Sequence, residues 1–467
     1  MDDFFITYRY ADNLARGQGF TFNPGERVFA TTAPGWGLLL ALGHLISGVA
    51  IPLLGTVATG LCLVALAVLL LRDGREQQAE LAVAGSLLVT AAFFWTHNGS
   101  ETFVLLPALL GAAALAEQPD GRRDVAAGLL GGLAVWLRPD AGIGLAGLGL
   151  LLIWRRRRLP WAFALAAGLV VAAGLLAARL YFGRFLPETL AAKRLQAQAF
   201  PELWHAGLGF WVEGYRWLRE AVAGGFAPWL VAGGLLGLGW MLARGSLLQQ
   251  TLALATFGQL LLYPLLGVPF YTWYLLLPLI GLLCGACVLA GGVERWARTL
   301  RRSRHRGWQL AAVTALVPLG LTAGLAFHSL ARSYGGYRAF RAFPRVEIYR
   351  QAGSWLREHS RPEDEVSHLE VGILGFYARR PVRDLLGLVS PENRPFLAER
   401  DLAGALRQHP TAYVVEYPPL ASLADPVLQQ PWFQESYQPA ATFEESAGGT
   451  QLVLWQRRAE SPGAPPP

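Results

Sequence analysis

The chain has 467 residues, 53% of them hydrophobic and only 16% charged, a balance too apolar for an ordinary soluble protein of this length and one that places it in the membrane class. Its formal net charge of +7 comes from basic residues gathered in short clusters between apolar runs, as orientation signals are, which argues against nucleic-acid binding. Cys62, Cys284 and Cys287 all fall inside apolar stretches, and the Cys284-x-x-Cys287 spacing reads as helix packing rather than redox or metal chemistry.

The first forty residues form the one long polar stretch before the apolar runs, and they open on Asp2 and Asp3. A helix from Asp2 to about Arg16 puts Phe4, Tyr8, Ala11 and Ala15 on one side and Asp2, Arg9, Asn13 and Arg16 on the other. Asp2 and Arg9 then share a face, two turns and roughly 10 Å of rise apart, about the span of a sugar with its phosphate. The same pattern also fits an amphipathic helix lying at a membrane surface with no chemistry.

Apolar runs follow at 36–47, 52–71, 81–95, 103–115, 125–137, 141–154, 161–182, 227–243, 251–266, 271–292 and 308–327. Counting crossings puts Arg72/Arg75, Arg122/Arg123, Arg155 to Arg158, Arg244 and the basic run 295–306 on one side, which the positive-inside rule makes cytoplasmic. The first loop, His97 to Glu101, Arg138 to Asp140, residues 183–226 and everything after His328 then lie outside. Every polar feature suited to chemistry is external. An amino end that starts outside with no apolar run before Asp2 leads us to expect that a first transmembrane helix precedes this sequence.

The runs flanking Arg138-Pro139-Asp140 are about 13 residues each, roughly 20 Å as helices against a ~30 Å hydrocarbon core. Arg138 and Asp140 are therefore expected below the outer membrane surface, either in a functional cavity or as a pair strapping two helices together. Gly142 to Gly147 matches G-x-G-x-x-G, but no strand precedes it and no acid follows at the right distance, so it is a chance match. From Pro344 the pattern becomes that of a soluble α/β domain. A helix is expected through His359, strands at 365–371, 381–384, 411–417 and 451–456, and a helix near 396–408.

Asp2, Asp3, Phe4, Ile6, Tyr8, Arg9, Tyr10, Asn13, Leu14, Gly17, Gly19, Phe22, Asn23, Gly25 and Glu26, followed by Thr31, Thr32, Pro34 and Trp36, resemble the first extracytoplasmic loop of bacterial GT-C membrane glycosyltransferases. The nearest branch is that of the terminal arabinofuranosyltransferases and mannosyltransferase-like relatives. Tyr181 to Lys193 resembles a second hallmark of that family, with Glu188 where the family usually has Asn. The aromatic turn 269–274 and the segments 375–377 and 383–388 resemble further family features. The resemblance implies a polytopic α-helical membrane protein of GT-C type with a C-terminal soluble α/β extracytoplasmic domain. The expected parts are a first loop over 1–51 with amphipathic helices, a transmembrane domain over 52–327 with an external loop at 183–226, an α/β domain over 328–459, and a disordered tail at 460–467. Family members carry a transmembrane helix just before the paired carboxylates.

It also implies transfer of a sugar from a polyprenyl-phosphate donor to a glycan, lipid or protein acceptor of the cell envelope, with inversion, at the outer face of the bacterial inner membrane. Such transfer needs a carboxylate to take the acceptor's proton and cations for the departing phosphate. Asp2 and Asp3 are the candidate bases, Asp2 favoured because it shares the Arg9 face. Arg9, Arg138 and Lys193 are candidates for the phosphate, and His97, Glu101 and Tyr274 for the substrate lining. No metal-ligand cluster is read, although a divalent cation stays open as a cofactor. The alternatives are a transporter or lipid flippase, and a non-catalytic subunit of an envelope complex; no internal repeat supports the first.

Overall fold

The computed structural model describes residues 2–73, 85–86, 97–301, 344–417, 421–444 and 451–458, with isolated positions at 324, 328, 331–332, 334–335 and 338. Most of the runs expected at 81–95 and 308–327, and nearly all of the tail, lie outside the described residues.

Helix α1 (Asp3–Ala15) occupies the predicted stretch, but Phe4, Tyr8, Tyr10, Arg9, Asp12 and Asn13 are all buried. Its apolar side leans on the membrane helices, where the Tyr8 hydroxyl donates to the Gly99 carbonyl at 3.0 Å. Its polar side meets the C-terminal domain, where Arg9 Nη2 donates to the Arg380 carbonyl at 2.6 Å. The helix is therefore an internal layer between two domains, and a membrane-surface placement is ruled out.

The bundle continues with α2 (Pro34–Ser47), α3 (Ile51–Asp73), α4 (Thr102–Ala116), α5 (Gly121–Leu137), α6 (Ala141–Arg156), α7 (Trp161–Phe182), α8 (Thr189–Ala199), α9 (Leu208–Trp217), α10 (Ala227–Arg244), α11 (Leu247–Leu265) and α12 (Leu276–Arg301). Among the described residues, four stretches are long and apolar enough to cross a membrane: Ile51–Asp73, Trp161–Phe182, Leu208–Arg244 and Thr272–Gly292. On α3 and α7, Leu61, Val64, Leu165, Leu169 and Leu180 are exposed, as a lipid-facing belt requires. The third stretch begins inside the region expected as an external loop, because a π-helical turn, Leu218–Ala223, and a 3-10 turn, Gly224–Phe226, carry α9 into α10 without a break. Small residues let the helices approach. A Cβ at Gly234 of α10 would come 2.8 Å from the Leu282 carbonyl of α12, and the chance glycine fingerprint serves the same end, with Gly147 of α6 facing Leu254 of α11.

The C-terminal domain opens with α13 (Pro344–His359), which lays Tyr349 and Leu356 into its core. Next come β1 (Val366–His368), α14 (Gly372–Ala378), β2 (Val382–Asp384), α15 (Arg394–Ala398), α16 (Leu402–Gln408), β3 (Tyr413–Glu416), α17 (Ala421–Leu428), α18 (Pro431–Ser436), β4 (Tyr437–Glu444) and β5 (Gln451–Arg457). The sheet order is β2-β1-β3-β5-β4; β2, β1 and β3 run parallel and the last two strands antiparallel. The single helix expected near 396–408 is two, because Arg400 takes a left-handed backbone (φ 59°) and Asp401 restarts the helix by accepting from the Gly404 amide at 2.7 Å. Strand β4 went unpredicted because Pro439 interrupts it, and the register slips between Pro439 and Ala441, which an edge strand tolerates.

Candidate functional site

A cavity of about 280 Å³ opens where α1, the 97–101 loop, the α5–α6 turn, α8 and the aromatic turn converge, with Leu388 of the C-terminal domain in its wall. Pro139 ends α5 by removing an amide donor, so Arg138 sits in extended backbone (φ −162°) and turns its side chain inward. Its Nε lies 2.9 Å from both Asp140 oxygens, and Nη1 donates to Thr102 Oγ1 at 2.7 Å and to Glu101 at 3.3 Å. Asp140 also accepts from Gln259 Nε2 at 2.8 Å and the Tyr263 hydroxyl at 2.6 Å. Three donors, Arg138, Gln259 and Tyr263, thus hold Asp140, which anchors Arg138 in turn.

Lys193 stands on the first turns of α8, buried under aromatic rings. Its Nζ is 3.1 Å from Asp3 Oδ2, 4.4 Å from the Tyr271 ring centre and 4.8 Å from that of Trp273. Burial alone would lower the ammonium, but Tyr274 and Asp3 outweigh it and hold Lys193 well above the ordinary lysine range. The aromatic turn thus faces the cavity instead of forming an interfacial belt. Tyr274 lines the cavity and stacks on Tyr263, with ring centres 4.1 Å apart.

Of the sequence-predicted residues, Asp3, Arg138, Lys193, Glu101 and Tyr274 meet at this cavity. Burial raises the Glu101 carboxyl, and the Arg138 charge pulls it back down. His97 lies one layer behind, its Nε2 2.8 Å from Thr272 Oγ1 and its ring flanked by Phe4 and Trp273. Asp2 and Arg9 are not brought in. Asp2 accepts from the Gly372 and Ile373 amides, each at 2.7 Å, and so caps α14 from a neighbouring helix. Burial and nearby Glu370 raise its carboxyl to about 7, while the two amide bonds pull the other way. Arg9 lies 4.3 Å from the Phe22 ring and binds Asn23 and the Arg380 carbonyl. The shared Asp2–Arg9 face exists as predicted, but it docks the C-terminal domain, whereas Asp3, one residue round the helix, points to the cavity.

The cavity also takes up Thr7, Thr31 and Thr32, with the Thr7 and Thr31 hydroxyls 2.9 Å apart. The two later threonines stood in the resemblance with no role attached, and nothing in their sequence context marks them further. Leu186, Leu190, Leu262 and Leu266 also line it, so the cavity combines paired charges, Arg138 and Lys193 with their carboxylates, with apolar side chains. Among the described residues, no group of three or more His, Cys, Asp or Glu side chains converges as a metal site.

A helical bundle that gathers its loops into such a cavity beneath a small sheet domain has the GT-C fold of integral membrane glycosyltransferases. ArnT from Cupriavidus metallidurans, in its structure bound to undecaprenyl phosphate, superposes with a TM-score of 0.56 at 14% identity, over 100% of this chain and 95% of that one. Archaeal oligosaccharyltransferase AglB from Archaeoglobus fulgidus, in complex with an inhibitory peptide and a dolichol-phosphate, gives 0.52 at 12% identity, over 97% of this chain and 70% of that one. In sequence, the terminal beta-(1->2)-arabinofuranosyltransferase of Mycobacterium tuberculosis is 30% identical over 239 residues, or 44% of this chain and 36% of that protein. This chain therefore matches only about a third of that curated relative's length. A family model described as a domain of unknown function (DUF8728) matches residues 338–458. These likenesses bear out the GT-C resemblance drawn from the sequence.

Proposed function

We propose that the protein transfers a sugar from a polyprenyl-phosphate donor to a glycan, lipid or protein acceptor of the cell envelope, at the extracytoplasmic face of the bacterial inner membrane. The observation that carries this reading is the Asp3–Lys193 pair, 3.1 Å apart, in a cavity whose lining also holds Arg138 and the leucines Leu186, Leu190, Leu262 and Leu266. A phosphate on a prenyl tail matches that lining: the head meets two cations and the tail leaves past Leu186, Leu190 and Leu262. The lipids named for the structural neighbours, undecaprenyl phosphate and dolichol-phosphate, are of this kind.

In this reading the incoming phosphate draws Lys193 away from Asp3 as a charge-assisted partner, which frees the carboxylate. Asp3 then takes the proton of the acceptor hydroxyl. The acceptor oxygen attacks the anomeric carbon from the side opposite the phosphate, the carbon–oxygen bond to phosphate breaks, and the configuration inverts. Lys193 and Arg138 receive the charge that develops on the leaving phosphate. Asp140 and Thr102 hold Arg138 in place, so little reorganisation is needed at that moment.

The test is transfer from radiolabelled polyprenyl-phosphate pentose and hexose to an envelope-glycan acceptor by the protein in nanodiscs. Asp3→Asn is expected to abolish transfer, and Asp2→Asn to retain it. Loss in Asp2→Asn with retention in Asp3→Asn would overturn the assignment.

A further inference from the structure

The C-terminal domain carries a second concavity, of about 570 Å³, at the ends of β3 and β5. Arg361, Arg457 and Arg458 line it from two separate segments of chain, with Gln456, the Tyr413 edge and Asp364. All three arginines are exposed. Other arginines of this domain are neutralised: Arg345 by Glu370, Arg350 by Glu347, Arg383 by Glu365 and Glu392, Arg394 by Glu188. Among the described residues, Arg361 and Arg458 form no ion pair.

The rim is also built. Arg380 is buried and spends its donors on the chain beneath Arg361: Nε binds Ser360 Oγ at 2.9 Å, and Nη2 binds the Arg357 and Ser360 carbonyls at 2.7 and 2.8 Å. Asp364 closes the turn by accepting from the Arg361 amide at 2.8 Å. On the opposite side, the Arg457 amide donates to the Ala412 carbonyl at 2.9 Å. Cations held on a fixed backbone bind an anion at lower entropic cost than cations on a loose loop.

Location decides the kind of anion. The sheet docks on the first loop through its β2 edge, where Asn23 and Val382 exchange two bonds of 3.0 Å, whereas the cleft lies across β3 and β5. Among the described residues from Pro344 onward, no large hydrophobic side chain is exposed, in contrast with the many on the helical bundle. Among the described residues, none beside the cleft is suited to enter a bilayer.

We infer that this cleft is a binding site for a soluble anionic saccharide chain, holding its carboxylate or phosphate groups with Arg361 and Arg458. The choice of a saccharide rests on the proposed function, since an envelope-glycan acceptor would be anchored here while its end reaches the reaction cavity. The full protein in phosphatidylcholine nanodiscs is titrated into fluorescein-labelled oligogalacturonate and read by fluorescence anisotropy. Saturable binding is expected, weakening with added salt, with about a tenfold or greater rise in Kd in R361Q/R458Q and recovery in R361K/R458K. Both positions are exposed, so folding is expected to be unaffected; a matching melting temperature checks this. Asp3→Asn should bind like the parent, which separates this site from the reaction cavity whatever the fate of the transferase reading. The inference is overturned if R361Q/R458Q binds unchanged, if neutral maltooligosaccharide binds equally well, if Asp3→Asn abolishes binding, or if phosphatidylglycerol vesicles bind through these arginines and the galacturonate does not.

Discussion

Arg394 Nη1 lies 2.5 Å from Glu188 Oε2, and this pair joins two walls of the candidate cavity that come from different domains. Glu188 is flanked by the cavity-lining Pro187 and Thr189, while Arg394 Nε holds the Gly387 carbonyl at 2.9 Å, next to Leu388. Glu188 also pairs with Arg184 and donates its amide to Phe29 at 2.9 Å. A carboxylate where the resembled family usually has Asn therefore matches an arginine of the C-terminal domain.

Arg394→Ala leaves Glu188 buried with only exposed Arg184 for company, and should cost about 2–4 kcal/mol of stability. It should also raise the acceptor KM more than it lowers kcat, because the Leu388 wall is no longer held. The exchange E188R/R394E should recover part of both. Thermal melting and steady-state kinetics on the parent and the two variants check this.

The Asp2 carboxyl gives a pH dependence whose sign is fixed. Its value rises from an ordinary 3.8 to about 7 in the fold, so the folded state holds the proton more tightly than the unfolded chain. That contribution to stability is complete below about pH 4 and is lost as pH climbs through about 7. Asp2 is only partly shielded from solvent, so the expected span is about 1–2 kcal/mol. Melting temperatures taken from pH 5 to 8.5 should fall for the parent and stay nearly level for Asp2→Asn. The proteolytic sensitivity of the 360–380 region should follow the same course.

What could be read from the sequence divides along physical lines. Helix α13 was legible to the residue, because Pro344 fixes its start and Tyr349, Gly353 and Leu356 recur at helical spacing. Arg138 was legible as a cavity residue because charge at membrane depth is costly and seldom idle, whereas Lys193 was legible only through the resemblance of Tyr181 to Lys193 to a family hallmark. The choice between Asp2 and Asp3 was not. Periodicity says which residues share a face but not what covers that face, and here the covering element, α14, lies some 370 residues on. Strand β4 was hidden for a related reason: an edge strand with an internal proline carries no alternation, and its identity comes from pairing with β5.

The Arg138–Asp140 pair could serve only to join α5 to α6, and comparing two variants with the parent decides. Asp140→Ala leaves the buried guanidinium with Glu101, at 3.3 Å, as its remaining carboxylate and should destabilise the protein by about 2–4 kcal/mol. Replacing both residues together, R138M/D140L, removes both charges and should regain most of that loss, though Gln259 and Tyr263 lose their acceptor. A pure strap would let the double variant transfer sugar normally. The cavity placement of Arg138 predicts instead a stable protein with transfer reduced by at least about a hundredfold, since a cation that stabilises the departing phosphate is gone. Melting curves alongside single-turnover rates separate the two contributions.

Lys193 and Asp3 should fail in different ways although they touch. Lys193→Met keeps an apolar stem beneath Tyr271 and Trp273 but removes the charge that would meet phosphate, so both donor affinity and turnover should drop. Asp3→Asn keeps a polar partner for Lys193 and removes only the proton acceptor. Its binding of undecaprenyl phosphate, read by quenching of tryptophan fluorescence, should match or exceed that of the parent, because Lys193 is no longer shared with a carboxylate. Its kcat should fall by about 10²–10⁴-fold, the range expected when a general base is lost. Equal losses of donor binding in both variants would mean that the pair acts as one structural unit, and Asp3 would lose its role as the base.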